Sequence, residues 1–188
     1  MATKPNLRQL PSWPDRQLLW IERERSFARW MHGASTRPWV VPMLNIVSRL
    51  GDGWMWYAVI LALPWLDHVD GTTCAIRMFA VGGVNLLIYL IVKRSIARPR
   101  PYRTCPGIRA CARSLDEHSF PSGHTLHSVA FGLILVSYYP SLGYFVWPFV
   151  LLVAVSRVVL GLHYPSDVIV GAAIGEGIAQ AAQLLPLT

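Results

Sequence analysis

Residues 76–101 read IRMFAVGGVNLLIYLIVKRSIARPRP and decide which kind of fold the chain forms. From Ile76 to Val92 the stretch is apolar apart from Arg77 and Asn85, and from Lys93 onward it becomes basic and contains proline. Lipid offers no hydrogen bonds to an exposed backbone, so an apolar segment in a bilayer must be helical. We therefore expect a membrane helix that ends near Lys93 and leads into a basic loop at the membrane surface.

Four other apolar stretches accompany this one, and the composition agrees with them. Hydrophobic residues make up 53% of the 188 residues and charged residues 14%, against roughly 25% charged in soluble domains. Some stretches are shorter than the ~20 residues that cross a bilayer, so we expect their helices to extend into the polar loops. The prediction is an all-α, polytopic transmembrane helical bundle of about five spans, within 54–66, 76–92, 125–139, 144–162 and 168–185.

The N-terminal part has a different pattern. Residues 15–31, DRQLLWIERERSFARWM, place their large apolar side chains near one helical face, which predicts an amphipathic helix lying in the membrane interface. The alternative is a soluble surface helix packed on the rest of the protein. Prolines interrupt residues 37–50, which suggests a second shallow segment before a turn at Gly51-Asp52-Gly53. We divide the chain into an interfacial region, 1–50, and a transmembrane core, 51–188.

The net charge of +7 raises the question of nucleic-acid binding. We expect none, because the basic residues flank apolar spans, where anionic lipid or phosphate is the nearer partner. The three cysteines match no zinc spacing. Cys105 and Cys111 share one polar loop, and they form either a disulfide or two free thiols. Gly82-Gly83 and the pair Gly171 and Gly175 are expected to allow close helix packing.

Three short segments carry the chemically active side chains. In KRSIARPRP, Lys93 offers a point charge and Arg100 a planar fork, which suits a phosphoryl group. In FPSGHT, Ser122 can cap the following helix, and the amide of Gly123 lies at a helix N-terminus, where anions bind. His124 follows directly, beside the place where a phosphate would bind.

The third segment is SRVVLGLHYPSD, residues 156–167. Arg157 interrupts an apolar run, where a guanidinium is costly unless it faces an anion or a polar cavity. His163 and Asp167 are four residues apart, so we expect the carboxylate to hold the imidazole N–H and fix its tautomer.

Together the pattern K-x6-RP, PSGH, SR-x5-H-x3-D resembles the three-part signature of the type 2 phosphatidic acid phosphatase (PAP2) superfamily. Every position is filled in order over 75 residues, from Lys93 to Asp167. The resemblance implies a six-helix bundle related to soluble acid phosphatases and vanadium haloperoxidases, with its site at the membrane surface. The amphipathic N-terminal region stands where that family has a first transmembrane helix, so we expect five spans.

The resemblance also implies the role of each residue. His163 is expected to be the nucleophile that forms a phosphohistidine, with Asp167 orienting it, and His124 the general acid. The expected phosphate-binding residues are Lys93, Arg100, Ser122, Gly123 and Arg157. A neutral imidazole, three cations and an acid suffice for this chemistry, so no metal or other cofactor is expected.

The implied function is that of an integral-membrane, metal-independent phosphatase. Its substrate would be a lipid phosphomonoester or pyrophosphate, of the phosphatidate, phosphatidylglycerophosphate, isoprenoid pyrophosphate or lipid A type. A haloperoxidase is disfavoured by the membrane spans, whereas a lipid phosphotransferase and a non-hydrolytic lipid binder or transporter stay open. The expected partners are the substrate and membrane lipids. The sequence leaves the lipid and the oligomeric state undecided.

The expected location is a bacterial inner membrane. The basic residues fall on the catalytic side, which by the positive-inside rule points to the cytoplasm, but about half of them lie in or near the expected site. The resemblance favours a periplasmic site, and we lean toward that side with the cytoplasmic one still open.

Overall fold

The computed structural model describes residues 15–114 and 116–185, with side chains described from residue 19 onward. Short 3-10 turns at Gly33–Thr36 and Pro140–Leu142 join some of the helices. Within the described ranges the one β feature is an isolated bridge between Pro99 and His118. The predicted all-α fold class is confirmed. The helices are α1 (Asp15–His32), α2 (Val40–Leu50), α3 (Trp54–Leu66), α4 (Gly71–Ile96), α5 (Pro101–Thr104), α6 (Gly123–Tyr138), α7 (Gly143–Val159) and α8 (Pro165–Leu184).

Helix α6 is the centre of the bundle and packs against α4, α7 and α8. Its contact with α8 depends on two glycines. A Cβ on Gly175 would lie 2.3 Å from the carbonyl oxygen of Leu126, and one on Gly171 would lie 2.7 Å from that of Ser122. The predicted packing role of this glycine pair agrees with these distances. The approach also fixes the N-terminus of α6 against the start of α8, which brings two of the three sequence segments together.

The interior is apolar and the outer faces are apolar too. Trp56 and Met78 are buried in the core with Phe131, whose ring centroid lies 5.6 Å from that of Trp56. Large apolar side chains on the outer faces of α3, α4 and α7 are exposed, which is the surface of a membrane protein and not of a soluble one. They include Trp54, Leu61, Trp65, Phe79, Leu87, Phe145 and Leu151.

Length and composition make some of the helices candidate membrane spans. Helix α4 and the segment Pro140–Val159 are each long and apolar enough to cross a bilayer. Helices α2 and α3 qualify together, with a 45° bend at their break. Helix α6 has 16 residues and is about 24 Å long. The total of five spans therefore stays a prediction.

Helix α1 covers the predicted amphipathic segment and is docked on the protein by one side. The carboxylate of Glu24 accepts hydrogen bonds from Arg98 at 2.7 Å and from the backbone N–H of Ser166 at 2.9 Å. Ala28 is buried beside Tyr164. Three aromatic rings of the helix, those of Trp20, Phe27 and Trp30, are exposed. The helix thus packs on the bundle and still exposes apolar side chains. Its location in the membrane interface stays a prediction, as does the boundary between an interfacial region, 1–50, and a transmembrane core, 51–188.

All three cysteines lie in the described ranges, and the structure has them as free thiols. Cys105 is buried, with its Sγ 3.4 Å from the hydroxyl of Tyr164. Of the two alternatives for Cys105 and Cys111, the structure therefore contains the thiols and not the disulfide.

Candidate active site

The three segments converge at one end of the bundle. Lys93 lies in the last turn of α4, Arg157 in the last turn of α7, and His124 in the first turn of α6. They border a cavity of about 20 Å³, which we call the phosphoryl cavity. Its lining consists of Tyr89, Lys93, Arg100, Asp116, Gly123, His124, Arg157 and His163. Six of the eight predicted site residues therefore meet around one small space, although they are far apart in the sequence.

His163 is held by the main chain. Its Nδ1 donates to the carbonyl oxygen of Ser119 at 2.6 Å, so the lone pair belongs to Nε2, which lies 3.3 Å from Nη1 of Arg100. The side chain is buried, and burial lowers the pKa of His163 well below its usual value, with Arg157 and Arg100 adding to the effect. At neutral pH the ring is therefore uncharged, which is the form that can attack phosphorus.

Asp167 does not make the expected hydrogen bond. Its Oδ2 lies 3.8 Å from Nδ1 of His163, beyond hydrogen-bond range, and accepts instead from the backbone N–H of Tyr164 at 2.7 Å. Its Oδ1 accepts from Arg98 at 2.8 Å. The physical reason is that α8 begins at Pro165, after the histidine, so the carboxylate closes a capping box at the start of that helix. The hydrogen bond expected from His163 to Asp167 is therefore not formed, and the carbonyl oxygen of Ser119 accepts that proton instead.

Ser122 lies behind the cavity and not on its wall. It is the N-cap residue of α6, but its side chain makes no capping hydrogen bond to the backbone. The hydroxyl pairs with that of Thr125 at 3.0 Å, and its backbone N–H donates to the carbonyl oxygen of Asp167 at 3.0 Å. Ser122 thus links the starts of α6 and α8, while Gly123 lines the cavity.

His124 has an acidic partner that sequence reasoning missed. Its Nε2 lies 3.1 Å from Oδ1 of Asp52, in the turn between α2 and α3. The available signal was the sequence Gly51-Asp52-Gly53, which places an acid in a tight turn between two apolar segments. The pair positions the imidazole at the edge of the phosphoryl cavity, where it can exchange a proton with a reacting group.

Asp116 is a second missed residue, and it occupies the place expected for phosphate oxygens. Its carboxylate binds Nζ of Lys93 at 2.7 Å and Nη2 of Arg100 at 2.8 Å, and it accepts from the hydroxyl of Tyr89 at 2.8 Å. Burial would raise the pKa of Asp116, but the hydrogen bonds from Lys93 and Tyr89 outweigh it and lower the pKa to about 2. Because 20 Å³ holds only about one water, a phosphoryl group must displace this carboxylate to reach both cations.

Arg157 is buried and incompletely paired. Its Nη1 donates to the hydroxyl of Ser48 on α2, and its Nε has no hydrogen-bond partner among residues 15–114 and 116–185. A buried guanidinium with an unused N–H is costly unless a ligand completes it. The arrangement therefore suits a third cation for a bound phosphate, as the apolar run around Arg157 predicted.

An apolar groove leads away from His124. Two cavities, of about 210 and 240 Å³, lie along α3, α4 and α6 and have four lining residues in common, so they form one groove. These four are Tyr57, Leu86, His127 and Phe131. Gly83 also lines the groove, and a Cβ there would meet nothing within 4 Å. Close helix packing was therefore the wrong explanation for Gly83, whose lack of a side chain leaves the groove open.

The bundle and this site fit a membrane phosphatase, and comparison with known proteins agrees. Residues 74–186 match the PAP2 superfamily, and the chain belongs to that superfamily. It is accordingly a phosphatase of a family that acts on lipids.

Two curated relatives cover most of the chain. The decaprenylphosphoryl-5-phosphoribose phosphatase of Mycobacterium tuberculosis H37Rv is 31% identical over an alignment of 154 residues that covers 76% of this chain and 78% of that protein. The bacitracin transport permease protein BcrC of Bacillus licheniformis is 30% identical over 136 residues, 71% of this chain and 67% of the relative.

Two solved structures have the same fold. LpxE of Aquifex aeolicus superposes with a TM-score of 0.76 at 19% identity, over 85% of this chain and 94% of that one. A transmembrane PAP2-type phosphatidylglycerolphosphate phosphatase from Bacillus subtilis superposes with a TM-score of 0.67 at 22% identity, over 84% and 83%. These similarities support the fold.

Proposed function

We propose that this protein removes the terminal phosphate of a membrane lipid through a phosphohistidine at His163. The observation that carries the proposal is the neutral Nε2 of His163 facing a cavity that also contains Lys93, Arg100 and Arg157. Preorganised cations around a reacting phosphoryl group supply electrostatic stabilisation, the main contribution in phosphoryl transfer.

The reaction has two steps. The lone pair of His163 Nε2 forms a bond to phosphorus, and the bond from phosphorus to the leaving oxygen breaks. His124, which takes up a proton beside Asp52 when the phosphate dianion binds, donates that proton to the leaving oxygen. His124 then takes a proton from water, whose oxygen attacks the phosphohistidine. The P–N bond breaks, inorganic phosphate leaves, and both rings return to their starting forms.

The apolar groove supports a lipid substrate. It begins at His124, where the leaving group would lie, and continues between the helices with room for an alkyl or prenyl chain. The name of one curated relative fits this class, because that protein is a decaprenylphosphoryl-5-phosphoribose phosphatase.

Purified protein in detergent tests the proposal. Wild-type protein is expected to release inorganic phosphate from members of a lipid phosphate panel, with and without EDTA, and His163→Ala is expected to release none. Brief incubation with ³²P-labelled lipid should label wild-type protein with an acid-labile, base-stable bond, which His163→Ala lacks. Label appearing in a lipid acceptor would identify a phosphotransferase, and absence of both products would identify a binder or transporter.

We also propose that the site opens on the periplasmic side of a bacterial inner membrane. Glu117 is exposed in the loop before α6. With Cys111 replaced by serine, Glu117→Cys is expected to react with an impermeant maleimide in cells whose outer membrane alone is permeabilised. Labelling only after the inner membrane is opened would place the site in the cytoplasm.

A further inference from the structure

A polar cavity of about 150 Å³ adjoins the phosphoryl cavity. We call it the arginine cavity. Two of its lining residues, His124 and Arg157, also line the phosphoryl cavity, so a group in one space is next to a group in the other. The remaining polar residues that matter here are Asn45, Ser48, Arg49 and Arg113.

The arginine cavity has positive charge without matching acids. Arg49 and Arg113 are exposed at its rim, and neither forms a salt bridge in the described part of the chain. Arg157 forms its base, 3% exposed, with the unpaired Nε described above. The lining contains one acid, Asp52, which lies 3.1 Å from Nε2 of His124, so three guanidinium groups face a single carboxylate. Three guanidinium groups therefore surround a space that is ready for an anion.

The walls of the arginine cavity are fixed by hydrogen bonds. Asn45 on α2 donates from Nδ2 to the carbonyl oxygen of Cys111 at 3.1 Å, which ties the loop before α6 to α2. Arg113 lies two residues further along that loop, and Arg49 lies one turn further along α2. Ser48 of the same helix holds Arg157. The three arginines thus come from α2, the loop and α7, and the tertiary fold places them together.

The position of His124 indicates which part of a substrate reaches this space. His124 lines the apolar groove, the phosphoryl cavity and the arginine cavity. A leaving group that accepts a proton from His124 can therefore extend into the apolar groove or into the arginine cavity. A plain lipid monophosphate uses only the first, whereas a leaving group that is itself a phosphate ester uses both.

Resting on the proposed function, we propose that the arginine cavity binds the inner phosphate of a lipid pyrophosphate. The bond that breaks joins the terminal phosphorus to the bridging oxygen. That oxygen and its electron pair stay with the lipid monophosphate, which accepts the proton of His124 while Arg49 and Arg113 bind its remaining oxygens. The terminal phosphoryl group passes to His163 and then to water, and the chain of the product lies in the groove.

Farnesyl pyrophosphate and farnesyl monophosphate test this, because they share one tail and differ by one phosphate. The double variant Arg49→Gln and Arg113→Gln is expected to lower kcat/KM for the pyrophosphate by at least roughly tenfold and to change that for the monophosphate by less than about twofold. Arg109→Gln is the matched control. Arg109 is an exposed arginine of the same loop that lines a different cavity, beside Arg37, and its loss should alter neither substrate.

The outcomes separate the two proposals. Equal losses on both lipids, no loss on either, or a wild-type protein that cleaves only the monophosphate would overturn the pyrophosphate assignment while leaving the phosphatase intact. A wild-type protein that releases phosphate from neither lipid, nor from the wider panel, would instead overturn the proposed function. Both substituted arginines are exposed, so size-exclusion profiles of the variants should match wild type.

Discussion

The Nδ1 proton of His163 is donated to the main-chain carbonyl of Ser119 at 2.6 Å. Because the acceptor is backbone, the tautomer of the proposed nucleophile is set by the path of the loop before α6 and requires no neighbouring carboxylate. Asp167, at 3.8 Å, joins the start of α8 to Arg98 instead. The catalytic and structural roles of these side chains can therefore be separated by mutation.

Asp167→Asn should test that separation. An amide oxygen can still accept from the N–H of Tyr164, and His163 keeps its bond to Ser119, so we expect kcat to fall by no more than about tenfold. The buried ion pair with Arg98 is lost, so the melting temperature should fall clearly, as should that of Arg98→Gln. A kcat as low as that of His163→Ala would return the orienting role to the carboxylate.

The burial of His163 predicts how stability depends on pH. Its folded pKa lies well below 6.5, its value when exposed, so between the two the unfolded chain binds the extra proton. Above pH 6.5 the contribution of His163 to the free energy of unfolding is fully present. Below pH 6.5 the free energy of unfolding should decrease by up to about 1.4 kcal/mol per pH unit because of this group. The carboxylate of Asp116, whose pKa is lowered to about 2, is protonated only in much stronger acid. Its contribution to stability is therefore unchanged in this pH range.

Melting temperatures of wild type and His163→Asn, recorded from about pH 7 to about pH 5, measure the contribution of His163 to the pH dependence of stability. Wild type should lose more stability over the range than the variant, because Asn has no proton to bind in the unfolded chain. Parallel curves for the two proteins would mean that His163 is solvated, contrary to its burial.

Asp116→Asn should strengthen anion binding. The carboxylate neutralises Lys93 and Arg100 and occupies the space between them, so an incoming phosphate competes with it. The amide keeps the size and loses the charge, and we expect the inhibition constant of inorganic phosphate to fall by roughly fivefold or more. Glu117→Gln, an exposed neighbour, is the control for a change in loop charge. An unchanged or weaker inhibition would mean that Asp116 serves only to hold the two cations.

The sequence predicted the basic residues of the site better than the acidic ones. Arg157 could be identified because a guanidinium inside an apolar run is costly wherever it does not meet an anion. Asp116 and Ser119 could not, because each acts through a partner distant in the chain, and Ser119 acts through its backbone. For Asp52 the sequence showed an acid in a tight turn, but not that its partner is His124. The hydrogen bond expected between His163 and Asp167 is not formed, because spacing alone does not reveal where a helix begins.

Arg157→Lys should reduce turnover by far more than about tenfold. The guanidinium bonds Ser48 with one nitrogen and leaves Nε for the substrate, whereas a single ammonium cannot reach both. Ser48→Ala, which removes only the hydroxyl that accepts from Arg157, is the control and should reduce turnover much less. A nearly unchanged rate in Arg157→Lys, measured as phosphate release by protein with a wild-type elution profile, would exclude Arg157 from the site.

His124→Asn should show what the leaving group requires. An alkoxide needs a proton as it departs, whereas a phosphate, whose second pKa is near 6, leaves readily without one. We therefore expect the variant to lose at least roughly a hundredfold in kcat on farnesyl monophosphate and much less on farnesyl pyrophosphate. Asp52→Asn removes the partner 3.1 Å from Nε2 but keeps the imidazole. It should also lose more kcat on the monophosphate than on the pyrophosphate, and both losses should be smaller than in His124→Asn. Equal losses on the two lipids would mean that His124 binds the transferred phosphate and does not protonate the leaving oxygen.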